Sequence, residues 1–342
     1  MLRFYSKLAV VAVGFLTFAC SLQDHVVPAS PDVYVAGYSH SGNGQTARYW
    51  KNGQVVDLLS NPHAAVATSI AVSGSDVYVA GWDTDATFSS RAKFWKNGVT
   101  QSLFGPYTAT VLSKVLLSGG DVYVAGSGGT DSGYYAIYWK NGSPVVMNDS
   151  RNGWARDMAI VNGDVYVTGN ASGSKPDEGA IAKYWKNGSS VQLTSGPKQV
   201  YPNGIAVSGN DVHVVGTANG DNISRGGARY WKNGVETDLS PSTYYSNAED
   251  VAVLGNDVYI VGNVGNEQSY YTAVIWKNGV PTPLPGGVSA SAITIVGNDI
   301  YVSGTGLNGF TSIAKYWKNG VPVNLTDGML SNFTTSIFVV NP

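Results

Sequence analysis

Residues 76–98, DVYVAGWDTDATFSSRAKFWKNG, contain the two motifs that decide the fold. The first, Asp-Val-Tyr-Val-Ala-Gly, alternates in character and is rich in β-branched and aromatic residues, which indicates a β-strand. The second, Ala-Lys-Phe-Trp-Lys-Asn-Gly, is a strand that ends in Asn-Gly. This dipeptide is the strongest short signal for a β-hairpin, because both central residues of the turn need a positive φ. The stretch therefore predicts antiparallel strands joined by tight turns.

Both motifs recur along the chain after residue 31. Trp-Lys-Asn-Gly occurs intact seven times, with its Trp at positions 50, 95, 139, 185, 231, 276 and 317. The spacing of 41 to 46 residues is typical of a propeller or a solenoid. A further apolar run precedes the Asp-opened strand, as at residues 69–72, and another follows each Asn-Gly. Each unit thus holds four strands, named a to d, and four antiparallel strands at this period predict a propeller blade.

The two ends of the repeat region complement each other. The first unit begins at Asp32 without a strand a, and the chain ends with a strand a at residues 335–340 that has no strand b after it. We expect this last strand to complete the first blade as its innermost strand, because closure removes an exposed sheet edge. The sequence therefore predicts an all-β fold over residues 32–342, a seven-bladed β-propeller with four antiparallel strands per blade.

The composition agrees with this fold class. Gly is abundant, at 42 of 342 residues, and charged residues make up only 13% of the chain. Aromatic residues reach 11% and hydrophobic residues 43%, which is ample for a folded core. Helices would call for more Ala, Leu, Glu and Lys.

The N-terminus is expected to be an export signal over residues 1–20. Arg3 and Lys7 precede an apolar run of 12 residues, which is too short to span a bilayer and ends at Cys20, the one cysteine. Thr-Phe-Ala-Cys resembles a bacterial lipobox, although Leu16 stands four residues before the cysteine instead of three. A lipidated Cys20 would anchor the chain to a bacterial envelope membrane or the cell surface through a tether at residues 21–31. A plain secretory signal remains the alternative.

Charge limits the partners. Cleavage before Cys20 leaves 19 basic and 23 acidic residues, a net charge of −4. A nucleic-acid partner or an anionic membrane surface would need a basic face, so we expect neither, and the lipid on Cys20 would be the one membrane contact. We expect a monomer.

The repeated residues are expected to have structural roles. Trp and Tyr supply apolar area between blades. The Asp that opens strand b and the Lys of the Lys-Asn-Gly turn lie at the same end of each blade, which predicts an ion pair or hydrogen bonds there. A Lys or Arg stands two residues before the Trp in five units, on the Trp face, where its stem can pack.

The unit A-x-x-W-K-N-G-x-x-x-D-L, followed by a Gly turn and V-x-V-x-G, resembles the HAF repeat of bacterial extracellular proteins and other tryptophan-bearing propeller repeats. The resemblance covers residues 32–342. It departs in the second half, where that family usually has Asn-x-x-Gly and Val-Val-Gly instead of Asp-Val-Tyr-Val-Ala-Gly. The resemblance implies an exported repeat protein and supplies no catalytic residues.

Alternating strand direction places the a–b and c–d turns on one face of the propeller and the b–c and d–a connections on the other. The first face has constant spacing. On the second, the interval from the Gly of strand b to the Trp varies from 13 to 16 residues, and that from the Trp to the next Asp from 23 to 26. Variable loops on a constant scaffold are where binding is normally found. We expect their aromatic residues to include ligand contacts, namely Trp82, Tyr107, Trp154, Tyr201 and Tyr245.

A second set of candidates lies at the start of the a strands, which line the central channel. Residues that are small in the other blades become charged at Lys114, Arg156, Asp157, Glu249 and Asp250. These charges either bind a polar ligand at the channel mouth or pair with each other.

Three functions fit these observations. The first is a lipid-anchored recognition module that binds a glycan or a protein through the variable loops. The second is a structural or assembly component of the cell envelope without a small ligand. The third is an enzyme that uses the channel-mouth carboxylates, although no positioned base or nucleophile can be identified. No cofactor or metal is expected, because His40 and His63 lack a third ligand.

Overall fold

The computed structural model describes residues 30–42, 44–58, 64–87, 89–101, 108–130, 133–172, 179–195, 199–219, 227–240, 245–265 and 271–341. Pro31–Pro342 form one compact unit. Over the described ranges the regular structure is entirely β, so none of these residues belongs to a helix that could span a membrane. The predicted signal and tether, residues 1–20 and 21–31, fall outside the described residues except for the last two.

The strands form seven four-stranded antiparallel sheets, the blades. Blade 1 contains β28 (Ser331–Val340), β1 (Asp32–Ser41), β2 (Gly44–Lys51) and β3 (Gln54–Asp57). Blade 2 contains β4 (Ala65–Ser73), β5 (Asp76–Thr84), β6 (Ser90–Lys96) and β7 (Val99–Gln101). Blade 3 contains β8 (Thr108–Ser118), β9 (Asp121–Thr130), β10 (Gly133–Lys140) and β11 (Ser143–Arg151). Blade 4 contains β12 (Trp154–Val161), β13 (Asp164–Ser172), β14 (Ala180–Lys186) and β15 (Ser189–Gln192).

The remaining three blades repeat the pattern. Blade 5 contains β16 (Val200–Ser208), β17 (Asp211–Ala218), β18 (Gly227–Lys232) and β19 (Val235–Asp238). Blade 6 contains β20 (Ser246–Leu254), β21 (Asp257–Gly265), β22 (Tyr271–Lys277) and β23 (Val280–Pro283). Blade 7 contains β24 (Ser289–Val296), β25 (Asp299–Asn308), β26 (Thr311–Lys318) and β27 (Val321–Asn324). The prediction of a seven-bladed β-propeller is confirmed.

The C-terminal strand closes the ring. β28 pairs antiparallel with β1, from Asp32 opposite Val340 to His40 opposite Ser331, and it is the innermost strand of blade 1. Its side chains Ile337 and Val339 are buried with Trp50 in the cluster between blades 1 and 7. The predicted closure is therefore correct, and it places the first and last strands of the propeller in one sheet.

The repeated Trp residues form the contacts between blades. All seven are at most 1% exposed. Trp185 of blade 4 packs on Tyr123, Ala125 and Ala136 of blade 3, and the other six pack on the preceding blade in the same way. Burial of an aromatic ring of this size is a large part of each interface.

The face that carries the a–b and c–d turns, here the invariant-turn face, repeats one polar unit in every blade. In blade 4, Lys186 Nζ lies 2.8 Å from Asp164, and Asn187 donates to the same carboxylate at 2.8 Å. The Asn187 side-chain oxygen also accepts the Val165 N–H at 2.8 Å. The seven Lys–Asp distances span only 2.6–2.9 Å. The predicted ion pair is therefore confirmed in every blade.

The same unit explains the choice of residues in the turn. The turn Asn has a φ of 48–52° in all seven blades and the Gly after it a φ of 77–85°, as a type I′ turn requires. In six blades the turn Lys also lies over the ring of the strand-b Tyr, 5.2–5.4 Å from its centre. In blade 5 His213 takes the place of that Tyr, is buried, and lies 2.7 Å from the Tyr230 hydroxyl.

Candidate functional site

Every strand a contains a β-bulge at the same position, eight residues before the Asp of the following strand b, or at the matching point in β28. The bulged residues are all polar: Thr68, Ser113, Arg156, Asn203, Glu249, Ser291 and Thr335. A bulge leaves one residue unpaired in the ladder and re-aims its side chain. It therefore brings two consecutive residues of each strand a to the channel, where a regular strand would turn one of them away.

The bulges line a central cavity of about 80 Å³. Its wall consists of side chains from all seven strands a: Thr68, Ser69, Ser113, Lys114, Arg156, Asp157, Asn203, Glu249, Asp250, Ser291, Ala292, Thr335 and Ser336. All five charged residues predicted from the sequence line this one cavity. They lie within the strands and not at the strand starts where we expected them, because the a strands begin several residues earlier than the apolar runs suggest.

Four of the bulged residues donate to a backbone carbonyl of the next blade. Thr68 donates to the Leu112 carbonyl at 2.7 Å, and Ser113 donates to the Ala155 carbonyl at 2.9 Å. Equivalent bonds run from Asn203 to Ala248 and from Thr335 to Ala67. The common role of this position is thus a hydrogen bond around the channel. Arg156 in blade 4 and Glu249 in blade 6 are the two charged residues among the seven.

Three of the five charged residues are held by an ion pair or by backbone N–H groups. Lys114 lies 2.8 Å from Asp157, whose other oxygen accepts the Ile205 N–H at 2.9 Å. Asp250 accepts the N–H of Ile293 at 2.9 Å in the same manner. Desolvation opposes ionisation of Lys114, but the attraction of the two aspartates outweighs it and raises the pKa of Lys114. The expectation that the charges pair with each other is therefore correct for Lys114 and Asp157.

Arg156 and Glu249 differ from these three. Among the residues that the structure describes, none accepts a hydrogen bond from the Arg156 guanidinium or forms an ion pair with it. Glu249 accepts one hydrogen bond, from Asn247 Nδ2 at 2.6 Å. Burial at the channel wall raises the pKa of Glu249 to about 7. The attraction of Arg156 lowers this pKa, and the repulsion of Asp250 raises it. The two side chains thus influence each other electrostatically without being in direct contact.

Trp154 stands two residues before Arg156 in β12. Both residues are exposed, whereas Ala155 and Asp157 are buried, and Trp154 is 40% exposed. The connection before it is closely held. Asn152 adopts a φ of 49°, and a Cβ on Gly153 would come within 2.4 Å of the Ser150 carbonyl oxygen. A large ring is therefore presented to solvent by a connection with little room to rearrange.

Two tyrosines from the next two blades occupy the same region. Tyr201 is at the position of β16 that corresponds to Trp154, and its hydroxyl donates to Gln199 at 3.0 Å. Tyr245 comes directly before β20, is 36% exposed, and packs edge-to-face on Tyr271 with the ring centres 5.6 Å apart. Desolvation, then the charge of Glu249, raises the pKa of Tyr245. Tyr201 and Tyr245 thus lie close enough to Arg156 and Glu249, respectively, to interact with them electrostatically.

Other predicted contacts are placed differently. Trp82 lies in β5 of blade 2, half-buried between Val66 and Ala92 of the neighbouring strands, away from the group in blades 4 to 6. The assignment of Trp82, Trp154 and Tyr201 to loops was wrong, because the strands of the variable face extend beyond the repeat motifs. Tyr107 and Cys20 lie outside the described residues.

Sequence reasoning missed Asn203 and Asn247. Asn203 is the bulged residue of blade 5, between Arg156 and Glu249 in blade order, and Asn247 orients the Glu249 carboxylate. Counting back eight and ten residues from each strand-b Asp would have found both positions. Within the described part of the chain, no three His, Cys, Asp or Glu side chains are grouped so as to hold a metal ion.

Comparison with known proteins identifies the architecture. No family model and no curated protein matches the chain. A puromycin-hydrolysing peptidase from Mycobacterium tuberculosis has a similar structure, with a TM-score of 0.53 and 11% identity over 86% of this chain and 53% of that one. The β-propeller domain of the Trilobed protease from Pyrococcus furiosus has a TM-score of 0.49 and 13% identity, over 88% and 98% of the two chains. The likeness concerns the fold alone. This chain spans about half the length of the peptidase.

Proposed function

We propose that this chain is an exported recognition module of the bacterial cell envelope, lipid-anchored through Cys20, that binds a glycan or a protein at the channel mouth of blades 4 to 6. One observation carries the proposal. An exposed Trp154, held by a constrained connection, lies two residues from Arg156, whose guanidinium forms no hydrogen bond or ion pair with any residue in the described ranges. Solvent-exposed aromatic rings beside uncommitted polar groups favour recognition over a purely structural role.

The position of the first strand limits the reach of the proposed anchor. The chain enters the propeller at Asp32, on the invariant-turn face. Cys20 is twelve residues earlier, so a lipid on it would be within about 40 Å of Asp32.

An enzyme that uses the channel carboxylates is less well supported. Asp157 and Asp250 accept backbone N–H groups of the next blade, and Asp157 also pairs with Lys114. These contacts give two of the three candidate carboxylates a structural role. Glu249 alone would remain as a general acid or base, without an identified nucleophile.

A second candidate function is that of an envelope scaffold that docks a protein without a small ligand. It is favoured by an apolar patch where blades 7 and 1 meet on the variable-loop face, which carries the b–c and d–a connections. Phe310 is completely exposed and Met329 is 85% exposed, with Leu307 and Leu330 about half exposed. Large apolar patches on a surface often mark protein contacts.

The test compares the two surfaces in the full chain. Ligands are sought on a glycan array and by pull-down from envelope extracts, with the parent, a Trp154/Tyr201/Tyr245 triple alanine variant and a Phe310/Met329 double alanine variant. The proposal expects the triple variant to lose binding and the double variant to keep it. The opposite result would favour the scaffold, and retention by both variants would refute both sites. Incorporation of labelled fatty acid, abolished by Cys20→Ser, tests the anchor, and its absence would favour a secreted protein.

A further inference from the structure

We infer that the ligand of this site is the terminal ring of a neutral saccharide, stacked on Trp154 and hydrogen-bonded by Arg156 and Glu249 through adjacent hydroxyls. The inference rests on the proposed function and narrows it to one ligand class. It follows from how the charges, the ring and the channel volume are arranged.

The two charged side chains of the site, Arg156 and Glu249, lie on either side of blade 5. Arg156 and Glu249 occupy equivalent bulges in blades 4 and 6, with the smaller Asn203 in blade 5 between them. Asn203 turns its amide to the Ala248 carbonyl, and Gly204 after it has no side chain. A Cβ on Gly204 would lie 2.8 Å from the Asp250 Cα, so this blade is compact at the channel. A donor group and an acceptor group therefore lie on either side of blade 5, close enough to influence each other electrostatically.

The two side chains also limit the charge of a ligand that could contact both of them. An anionic ligand that reached Arg156 would also approach Glu249 and Asp250, and Lys114 is already paired with Asp157. A cationic ligand would meet Arg156. A neutral diol avoids both repulsions, because one hydroxyl oxygen can accept from the guanidinium while the adjacent hydroxyl donates to the carboxylate.

The indole of Trp154 supplies the apolar contact. Trp154 and Arg156 are both exposed and only two residues apart in β12, so a ring hydrogen-bonded by Arg156 can reach the indole. The carbon-bound hydrogens of a sugar ring form an apolar surface that suits a flat aromatic face. Tyr201, at the equivalent position of the next blade, extends this apolar surface toward Glu249.

The size of the cavity limits how far the ligand can enter. The cavity that Arg156 and Glu249 line has a volume of about 80 Å³, which is room for two or three waters. Hydroxyl groups can enter this volume but a sugar ring cannot, so the ring has to remain at the mouth. The site consequently suits a chain end that approaches from the variable-loop face, and it excludes a polymer threaded through the propeller.

The experiment uses the full chain on an array of oligosaccharides that share a core and end in a neutral, uronic-acid or amino-sugar ring. We expect binding to neutral ends, weakened at least tenfold by Trp154→Ala and by Arg156→Ala, and several-fold by Glu249→Gln. Phe310→Ala, at a fully exposed aromatic residue on blade 7, serves as the control and should bind like the parent. Unchanged melting temperatures would show that the variants are folded.

The outcomes separate this inference from the proposed function. A preference for acidic or amino-sugar ends, or neutral binding that survives Trp154→Ala, would overturn the inference. Absence of glycan binding, together with a protein captured from extracts by the parent and lost in the Trp154/Tyr201/Tyr245 variant, would overturn it while the recognition function stands. Binding lost only in the Phe310 variant would refute both.

Discussion

The two faces of the propeller are built from the same repeats, but one has the same residues in every blade and the other does not. On the invariant-turn face, the Lys–Asp pair and the Asn hydrogen bonds recur seven times with distances that agree within 0.3 Å. At the channel mouth on the opposite side, the equivalent bulge position holds Thr, Ser, Arg, Asn, Glu, Ser and Thr in turn. The regular face holds each hairpin together, and the irregular positions are where the proposed ligand would bind.

The polar unit of the invariant-turn face, here called the turn lock, holds the hairpin turn of each blade. The Lys donor, followed by the Asn donor, lowers the pKa of the Asp in all seven blades. Each of its groups has a partner within its own blade. The predictions that follow test whether the invariant-turn face stabilises the fold while the channel mouth binds a ligand. They begin with the framework on which both faces depend.

Deletion of residues 331–342 should have the largest effect, because it removes β28 and leaves β1 with an unpaired edge. We expect a loss above about 5 kcal/mol, comparable with the whole stability of many domains, seen by calorimetry as loss of the cooperative transition. Deletion of only residues 341–342 leaves β28 complete and serves as the control. A truncated chain that melts like the parent would contradict closure by β28.

Trp185→Ala should cost about 3–5 kcal/mol, because it removes a fully buried ring and leaves the Asn148 carbonyl without its 2.7 Å hydrogen bond. Trp154→Ala in the same blade is the matched control, and we expect it to cost less than about 1 kcal/mol because Trp154 is 40% exposed. Denaturant unfolding measures both. Equal losses in the two variants would mean that Trp154 is part of the core.

Asn187→Ala should cost about 1–3 kcal/mol, because it leaves the Val165 N–H without its acceptor and puts a residue with a Cβ at a φ of 50° without side-chain support. Asn187→Gly keeps the turn conformation and should recover part of the loss. Lys186→Ala should lower the melting temperature less than either, since its ion pair is exposed to solvent. If Lys186→Ala were the most damaging of the three, the ion pair and not the turn would hold the hairpin.

Glu249→Gln should raise stability at pH 8 and leave it nearly unchanged at pH 4.5. The pKa of Glu249 is raised from 4.5 to about 7 in the folded chain, so its contribution is fully present below pH 4.5 and is lost as the pH rises through 7. We expect a gain of about 1–2 kcal/mol at pH 8, read from melting temperatures across this range. The groups that face Glu249 are Arg156, Asp250, Asn247 and Tyr245. Burial also raises the pKa of Asp250, so the Glu249→Gln variant should retain part of the pH dependence of stability. If Glu249→Gln destabilised the chain at pH 8, the folded protein would stabilise the ionised Glu249 carboxylate instead of disfavouring it.

The repeats were sufficient to predict the blades, their number, the closing strand and the turn lock, because each of these features depends on local patterns that occur seven times. The channel was predicted less completely. In a regular strand, neighbours such as Arg156 and Asp157 point to opposite sides, and the bulge that turns both toward the channel leaves no local signal in a single repeat. The difference between Arg156 and Asp157 was also not predictable, since it depends on Lys114 in another blade.

The aromatic residues show the same limit. Trp82 and Trp154 are both outside the repeat motifs, and both were expected to contact a ligand. Only the structure shows that Trp82 is half-buried in its sheet, whereas Trp154 is exposed beside Arg156. Exposure depends on how far each strand extends past its motif, which is decided by pairing with the neighbouring strands.

The central claim is that the invariant-turn face stabilises the fold and that the channel mouth binds the ligand. Its most direct test measures ligand affinity and melting temperature together in Trp154→Ala and Asn187→Ala. The account predicts that Trp154→Ala loses affinity at least tenfold while its melting temperature stays within about 2 °C of the parent. It predicts a lower melting temperature and an unchanged affinity for Asn187→Ala. Affinity lost in Asn187→Ala and retained in Trp154→Ala would contradict it.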